Sequence, residues 1–486
     1  MNSVSSHDLR PGDARALWPG LALDNSYARL PMTMYSKARP EPLADPELLW
    51  FNASLAGALG LDEQPRELIT AFASGHREPF GARPIQPKVS KRPWGALDPR
   101  HGAVTEVFLG EHIDPCFQRH DLSLVQHEEG HEPGGAELSV RTALHQLLIG
   151  EVLNAIGVQA PRILAITYDD GNGGLDKAHA SVIKTGESPL TIGAFEHAFR
   201  KLGLAELERL AEYAIARIDP ALINSDTPYT DLFERVCDQL AVTMAQWASV
   251  GFIHSKLDTH LTLIDGGLSL VPYSGFMDNY DPDYARHPLD STGRYAFSAQ
   301  PIAAHWNLCR FANALRPLTR LEQKGAARRI EDRLDDFFNR YEHYRFAYLR
   351  HKLGLIVSRK GDAALVNELI ELMAVEKANS ALVFRQICEL AARREGRDWL
   401  VTQFRQSKRI DRWVEAYLRR LAIEPTRGKP EHREHMESLN PWCIPGAHTL
   451  SATIDEVLEG DLSSIDRFLK AYANSGEPLQ QVGLRG

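Results

Sequence analysis

The chain has 486 residues, 43% hydrophobic and 24% charged, a globular profile with room for about two or three packed units. Its formal net charge of −9 leaves no broad basic face and argues against a nucleic-acid partner. No apolar run is long enough to cross a membrane, and the polar stretch Met1 to Ala14 lacks the apolar centre of a signal peptide.

Residues 1–20 read as a disordered leader. From Ala44 to Gly60 the leucines Leu48, Leu49, Leu55 and Leu59 follow a helical period, with Gly60 as the stop. Residues 64–103 are rich in Pro, Arg and Gly and read as irregular. Four apolar runs bounded by turn residues then predict strands at Val104 to Leu109, Leu122 to Gln126, Arg162 to Thr167 and Ala180 to Lys184. A helix over about Val140 to Ile156 separates the second from the third, with Leu144, Leu148, Val152 and Ile156 on one face. Two apolar stripes follow, Leu207 to Ile218 and Phe233 to Trp247, the second ended by Gly251. Short strands are expected at Thr262 to Ile264 and Leu268 to Val271, and the pattern from about 300 to 475 is helical. The cysteines Cys116, Cys237, Cys309, Cys388 and Cys443 are odd in number and form no CxxC pair, which fits a reducing cytoplasm better than a disulfide framework.

Several ordered motifs carry a resemblance: Asp24-Asn25-Ser26-Tyr27-Ala28-Arg29-Leu30-Pro31, Gly251-Phe252 with His254, Gly275-Phe276-Met277-Asp278-Asn279-Tyr280, Gly293-Arg294-Tyr295-Ala296-Phe297, Trp306-Asn307-Leu308 and Leu365-Val366-Asn367-Glu368. Together they resemble the selenoprotein O (YdiU) family over roughly residues 20–370. The resemblance implies an α+β class, with a protein-kinase-like two-lobe fold and a helical C-terminal extension. The divisions expected are a small-lobe region at 21–200, a helical large lobe at 201–320 and the extension at 321–486. It also implies transfer of AMP from ATP to protein hydroxyls, a chemistry that needs cations on the phosphates and oxygen ligands on Mg²⁺.

Carried over residue by residue, that chemistry loses its side chains. The family's strand lysine falls on Ser123, or on Val125 with a two-residue gap, and its helix glutamate on Gln146. The cation of the G-D-G-R turn becomes Glu137. Two phosphate-contacting arginines fall on Lys184 and Thr191. In the catalytic loop, His260 stands at the aspartate and Leu261 at the asparagine, with Asp258 or Asp265 nearby if a gap is allowed. The later metal aspartate falls on Leu270. Arg141, Glu151, Arg162, Gly193, Glu196, His254 and Arg294 are retained.

What stands in their place is ionisable. His254, Asp258 and His260 are candidate catalytic residues for acid–base work, and Lys184, Arg141, Gln146 and Glu151 would line the old nucleotide cleft. His127, His131, His254 and His260 are candidate ligands of a divalent metal. His127 to His131 also spells H-E-x-x-H, which binds zinc only on a helix; an acidic loop of this kind also suits a plain solvated turn. Mg-ATP is not the expected cofactor. The favoured reading is a repurposed enzyme acting on a small molecule in the inter-lobe cleft. A non-catalytic protein that binds a nucleotide or protein partner there, and a residual adenylyltransferase, are the alternatives.

Overall fold

The apolar runs predicted as strands assemble into one antiparallel sheet in the computed structural model. The model describes residues 18, 20–61, 64–94, 104–128, 136–171, 173–186, 188–267, 269–322, 325–393, 397–405, 407–441 and 444–472. The chain divides into two compact units: Met1–Lys88 with Val104–Ala143 and Pro161–Pro189, and Val89–Ala103 with Leu144–Ala160 and Leu190–Gly486. The class is α+β.

The first unit holds β1 (Tyr35–Lys37), β2 (Glu47–Phe51), α1 (Ala53–Ala58), α2 (Arg66–Ala73), β3 (Ile85–Pro87), β4 (Val104–Ile113), β5 (Arg119–Glu128), β6 (Ala136–Glu137), β7 (Arg162–Asp169) and β8 (His179–Thr185). The strand order is β1-β3-β4-β5-β8-β7-β2, with β6 also paired to β5. One face of this sheet closes over a core of Leu109, Leu122, Leu124, Leu164 and Ile183, joined by Trp18, Leu55, Leu59 and Phe72. Helix α3 (Val140–Ala155), buried well beyond the one predicted face, is divided between the two units.

The segment read as one helix from Ala44 to Gly60 is a strand followed by a short helix, because Leu48, Trp50 and Phe51 pair with β7. Leucine spacing alone cannot separate the two, and cross-strand pairing decides. The stretch read as irregular contains α2 and β3; Ile69, Phe72 and Ala73 on α2 are buried. Of the leader, residues 1–17 lie outside the described residues, and Trp18 is buried in the sheet unit's core.

The second unit is mostly helical: α4 (Ile192–Lys201), α5 (Leu204–Ile218), α6 (Pro228–Val250), α7 (Gln300–Thr319), α8 (Ala326–Asp335), α9 (Phe337–Lys352), α10 (Asp362–Glu376), α11 (Ser380–Arg393), α12 (Arg397–Thr402), α13 (Ser407–Leu421), α14 (Pro430–Leu439), α15 (Ala447–Leu458) and α16 (Ser463–Tyr472). A two-stranded ribbon, β9 (Phe252–Ile253) with β10 (Gly275–Phe276), follows α6. The short strands expected over 262–271 do not form there. Leu263 makes one isolated bridge to Thr191, the ribbon pairs further out, and Leu268 lies outside the described residues.

Candidate functional site

Gly251 ends α6 in a left-handed conformation, φ 73°, as the predicted helix stop requires. The chain then enters the loop that carries His254, Asp258 and His260. Gln300 clamps the entry: its side-chain oxygen accepts from the His254 amide at 2.9 Å, and its side-chain nitrogen donates to Phe252 O at 2.9 Å.

His254 is fully buried. Its Nε2 donates to the Ser269 carbonyl at 2.7 Å, which fixes that tautomer, and its ring stacks on Trp247 with centroids 5.6 Å apart. Burial pushes the imidazole down to about 4. The ring fastens the loop to the end of α6.

Asp258 is also fully buried. Its Oδ1 accepts from the Trp94 amide at 2.9 Å and from the Tyr295 hydroxyl at 2.7 Å. Its Oδ2 has no hydrogen-bond partner among the described residues. Burial raises the carboxyl, outweighing these two bonds and the nearby Lys256 charge. One turn on, Leu261 and Thr262 close back onto the Asp258 carbonyl through their amides at 3.0 and 3.1 Å. His260, inside that turn, has neither ring nitrogen hydrogen-bonded among the described residues. Burial first, then the charges of Lys256 and Lys91, hold it well below the ordinary imidazole range. Asp258 and His260 are thus driven toward their neutral forms from opposite directions. Leu261 and Leu270 are buried apolar side chains.

In the sheet unit, Ser123 on β5 is the register partner of Lys184 on β8, so both project from one face. The Lys184 ammonium is ion-paired with Glu106 on β4. Sequence reading missed Glu106. Its signal was a lone carboxylate inside the apolar run Val104 to Leu109. Arg141 lies 3.5 Å from Asp176 on the surface. Gln146 and Glu151 are buried on α3, and the Gln146 side-chain nitrogen lacks a partner among the described residues.

The H-E-x-x-H string begins on a strand, because β5 runs through Glu128. Successive strand side chains point to opposite faces, so His127 and Glu128 diverge. His127 faces Glu41 at 3.4 Å, and Glu128 accepts from the Ser139 hydroxyl at 2.9 Å. His131 lies outside the described residues. Among the described residues no group of three or more His, Cys, Asp or Glu is arranged to hold a metal ion. Nor is any described helix long and apolar enough to cross a membrane.

Comparison with known proteins gives this arrangement its class, a protein related to nucleotidyltransferases. A family model described as "Protein adenylyltransferase SelO" matches residues 128–473. The chain is 33% identical over 480 residues to the protein nucleotidyltransferase YdiU of Alkalilimnicola ehrlichii, covering 96% of each. It is 33% identical to the YdiU of a Bradyrhizobium species over 90% of each chain, and 31% identical to that of Geobacillus kaustophilus over 94% of each. The chain belongs to the SelO/YdiU family.

Proposed function

We propose that this chain keeps the family's kinase-like two-lobe architecture, with its lobes at 21–200 and 201–320 and its extension at 321–486, but has given up efficient AMP transfer. In this reading it is a cytoplasmic protein that handles a small molecule at Asp258 and His260. One observation carries the proposal: a buried carboxyl and a buried imidazole, two residues apart, keep polar atoms unpartnered among the described residues. Native proteins pair the great majority of such atoms, and perturbed ionisable groups cluster at functional sites. A carboxyl raised by burial and an imidazole kept neutral form a serviceable acid–base pair.

The donor set argues against Mg-ATP. Where the family resemblance expects metal oxygens, Leu261 and Leu270 offer methyl groups, and Lys184 already answers Glu106. Loss of a single transition-state donor costs about 3–4 kcal/mol, and several positions are affected here. Magnesium and a triphosphate do not fit these residues. In this reading His254 is a positioning residue, with its Nε2 and one ring face committed to Ser269 and Trp247.

A second reading, residual adenylyltransferase activity, is favoured by the relationship to proteins named nucleotidyltransferases over 96% of the chain. One set of measurements separates the readings. The purified full chain is denatured and its released small molecules identified by mass spectrometry, beside His260→Leu. Thermal shift is then measured with ATP, ADP and AMP, with and without Mg²⁺. The expected result is a co-purifying molecule lost from the variant and no shift with Mg-ATP. Nucleotide stabilisation without turnover favours a non-catalytic binder. Transfer of labelled AMP from ATP to protein, abolished in Asp258→Ala, would overturn the proposal.

A further inference from the structure

The described segment Ser90 to Trp94 lies along the loop that carries Asp258 and His260, within the same unit, and is tied to it at successive positions. Ser90 donates its amide to Gly193 O at 2.9 Å and accepts from the Thr259 hydroxyl at 3.2 Å. The Thr259 amide reaches the Arg92 carbonyl at 3.4 Å. The Trp94 amide ends the run on Asp258 Oδ1 at 2.9 Å. From outside, exposed Arg294 stacks over the Trp94 ring at 5.3 Å and donates to the Trp94 carbonyl at 3.4 Å. Trp306 packs against the same ring at 5.6 Å. Gly193 permits this closeness: a Cβ there would stand 2.7 Å from Ser90 O and 3.0 Å from the His260 Cα.

These bonds differ in kind from core packing. The segment is only partly buried, is held by these hydrogen bonds, the Trp94 ring contacts and a 4.0 Å ion pair from Arg92 to Glu196, and covers buried residues. Such segments open locally at far lower free energy than the whole domain. We propose that Ser90–Trp94 is a latch over the Asp258–His260 turn, with Asp258 Oδ1 as its catch and Arg294 as its outer clasp. Asp258 is thereby a positioning residue through one oxygen, while its other oxygen and the His260 ring remain for what enters when the latch lifts. The latch stands on this geometry alone. The identity of an entering molecule rests on the function proposed above.

Diethyl pyrocarbonate labelling of the full chain, read peptide by peptide, tests it. Wild-type His260 should label far more slowly than exposed His343. Asp258→Ala removes the catch; since a buried hydrogen bond is worth roughly a tenfold change in an equilibrium, His260 labelling should rise by about tenfold. His254, held by Ser269 and Trp247, must stay protected, which separates latch release from general unfolding. Asp258→Asn keeps the accepting oxygen and should label as wild type. Should Asp258→Ala unfold, labelling His254 as well, the surface variant Arg294→Ala carries the test, with the same selective rise at His260. Wild-type His260 as reactive as His343, or no selective rise in any folded variant, overturns the latch. A latch that opens as described, on a protein with no bound molecule and no turnover, would leave the latch standing and sink the proposed function.

Discussion

Two buried ionic sites in the helical unit make an instructive contrast. Near the C-terminus, Arg420 on α13 meets Asp362 at 2.6 Å and Glu424 at 3.0 Å. The remaining carboxylate oxygens accept backbone amides, Arg359 on Asp362 and Val357 on Glu424, each at 2.9 Å. Every oxygen of both acids is served. At the Asp258 turn the inventory stops short, with Asp258 Oδ2 and both His260 nitrogens unpartnered among the described residues. Charges buried for architecture arrive with a full set of partners. In the function proposed above, the unpartnered atoms of the Asp258 turn are bonding capacity held in reserve.

The largest effect should come from breaking the complete site. Arg420→Ala strands two buried carboxylates and should remove about 3–5 kcal/mol, read by urea unfolding. Next in size is acid sensitivity. Burial holds His254 at about 4 and His145 at about 3, against 6.5 when unfolded. The unfolded chain therefore binds more protons below pH 6.5, so stability is full above that pH and falls as pH drops toward 4. His254→Asn should flatten this slope by about 2.5 kcal/mol over the window, measured as urea midpoints between pH 7 and 4.5. At the incomplete site the sign reverses. His260→Leu replaces an unpartnered imidazole by a side chain of similar size and should stabilise by about 1 kcal/mol. A loss comparable to that of Arg420→Ala would erase the contrast. The smallest effect belongs to Arg467→Ala: its partners Glu456 and Asp461 are half-exposed, and the urea midpoint should scarcely move.

Much of this was legible in the sequence where one signal dominates. The helix predicted from Val140 to Ile156 is α3, ending one residue earlier, and Gly251 is the stop it was read to be. The four strand runs are all present, each extended at one or both ends by pairing that no local pattern announces. β2 was hidden because Leu48 and Leu49 satisfy a helical period equally well. At the candidate site the ionisable residues could be named from the loop, but their partners could not. Trp94 lies 164 positions from Asp258, and Tyr295 lies 37 positions away. The partner of Glu106 was hidden for the same reason, since only the pairing of β4, β5 and β8 brings it to Lys184.

That register also bears on the charge this sheet face can carry. A lysine introduced at Ser123 would rise directly opposite Lys184 on the same sheet face, and two ammonium groups would compete for the carboxylate of Glu106. Lysine at Ser123 would therefore add a charge that Glu106 could only share. The carboxylate of Glu106, more than the residue at 123, thus sets how much unbalanced positive charge this sheet face can present.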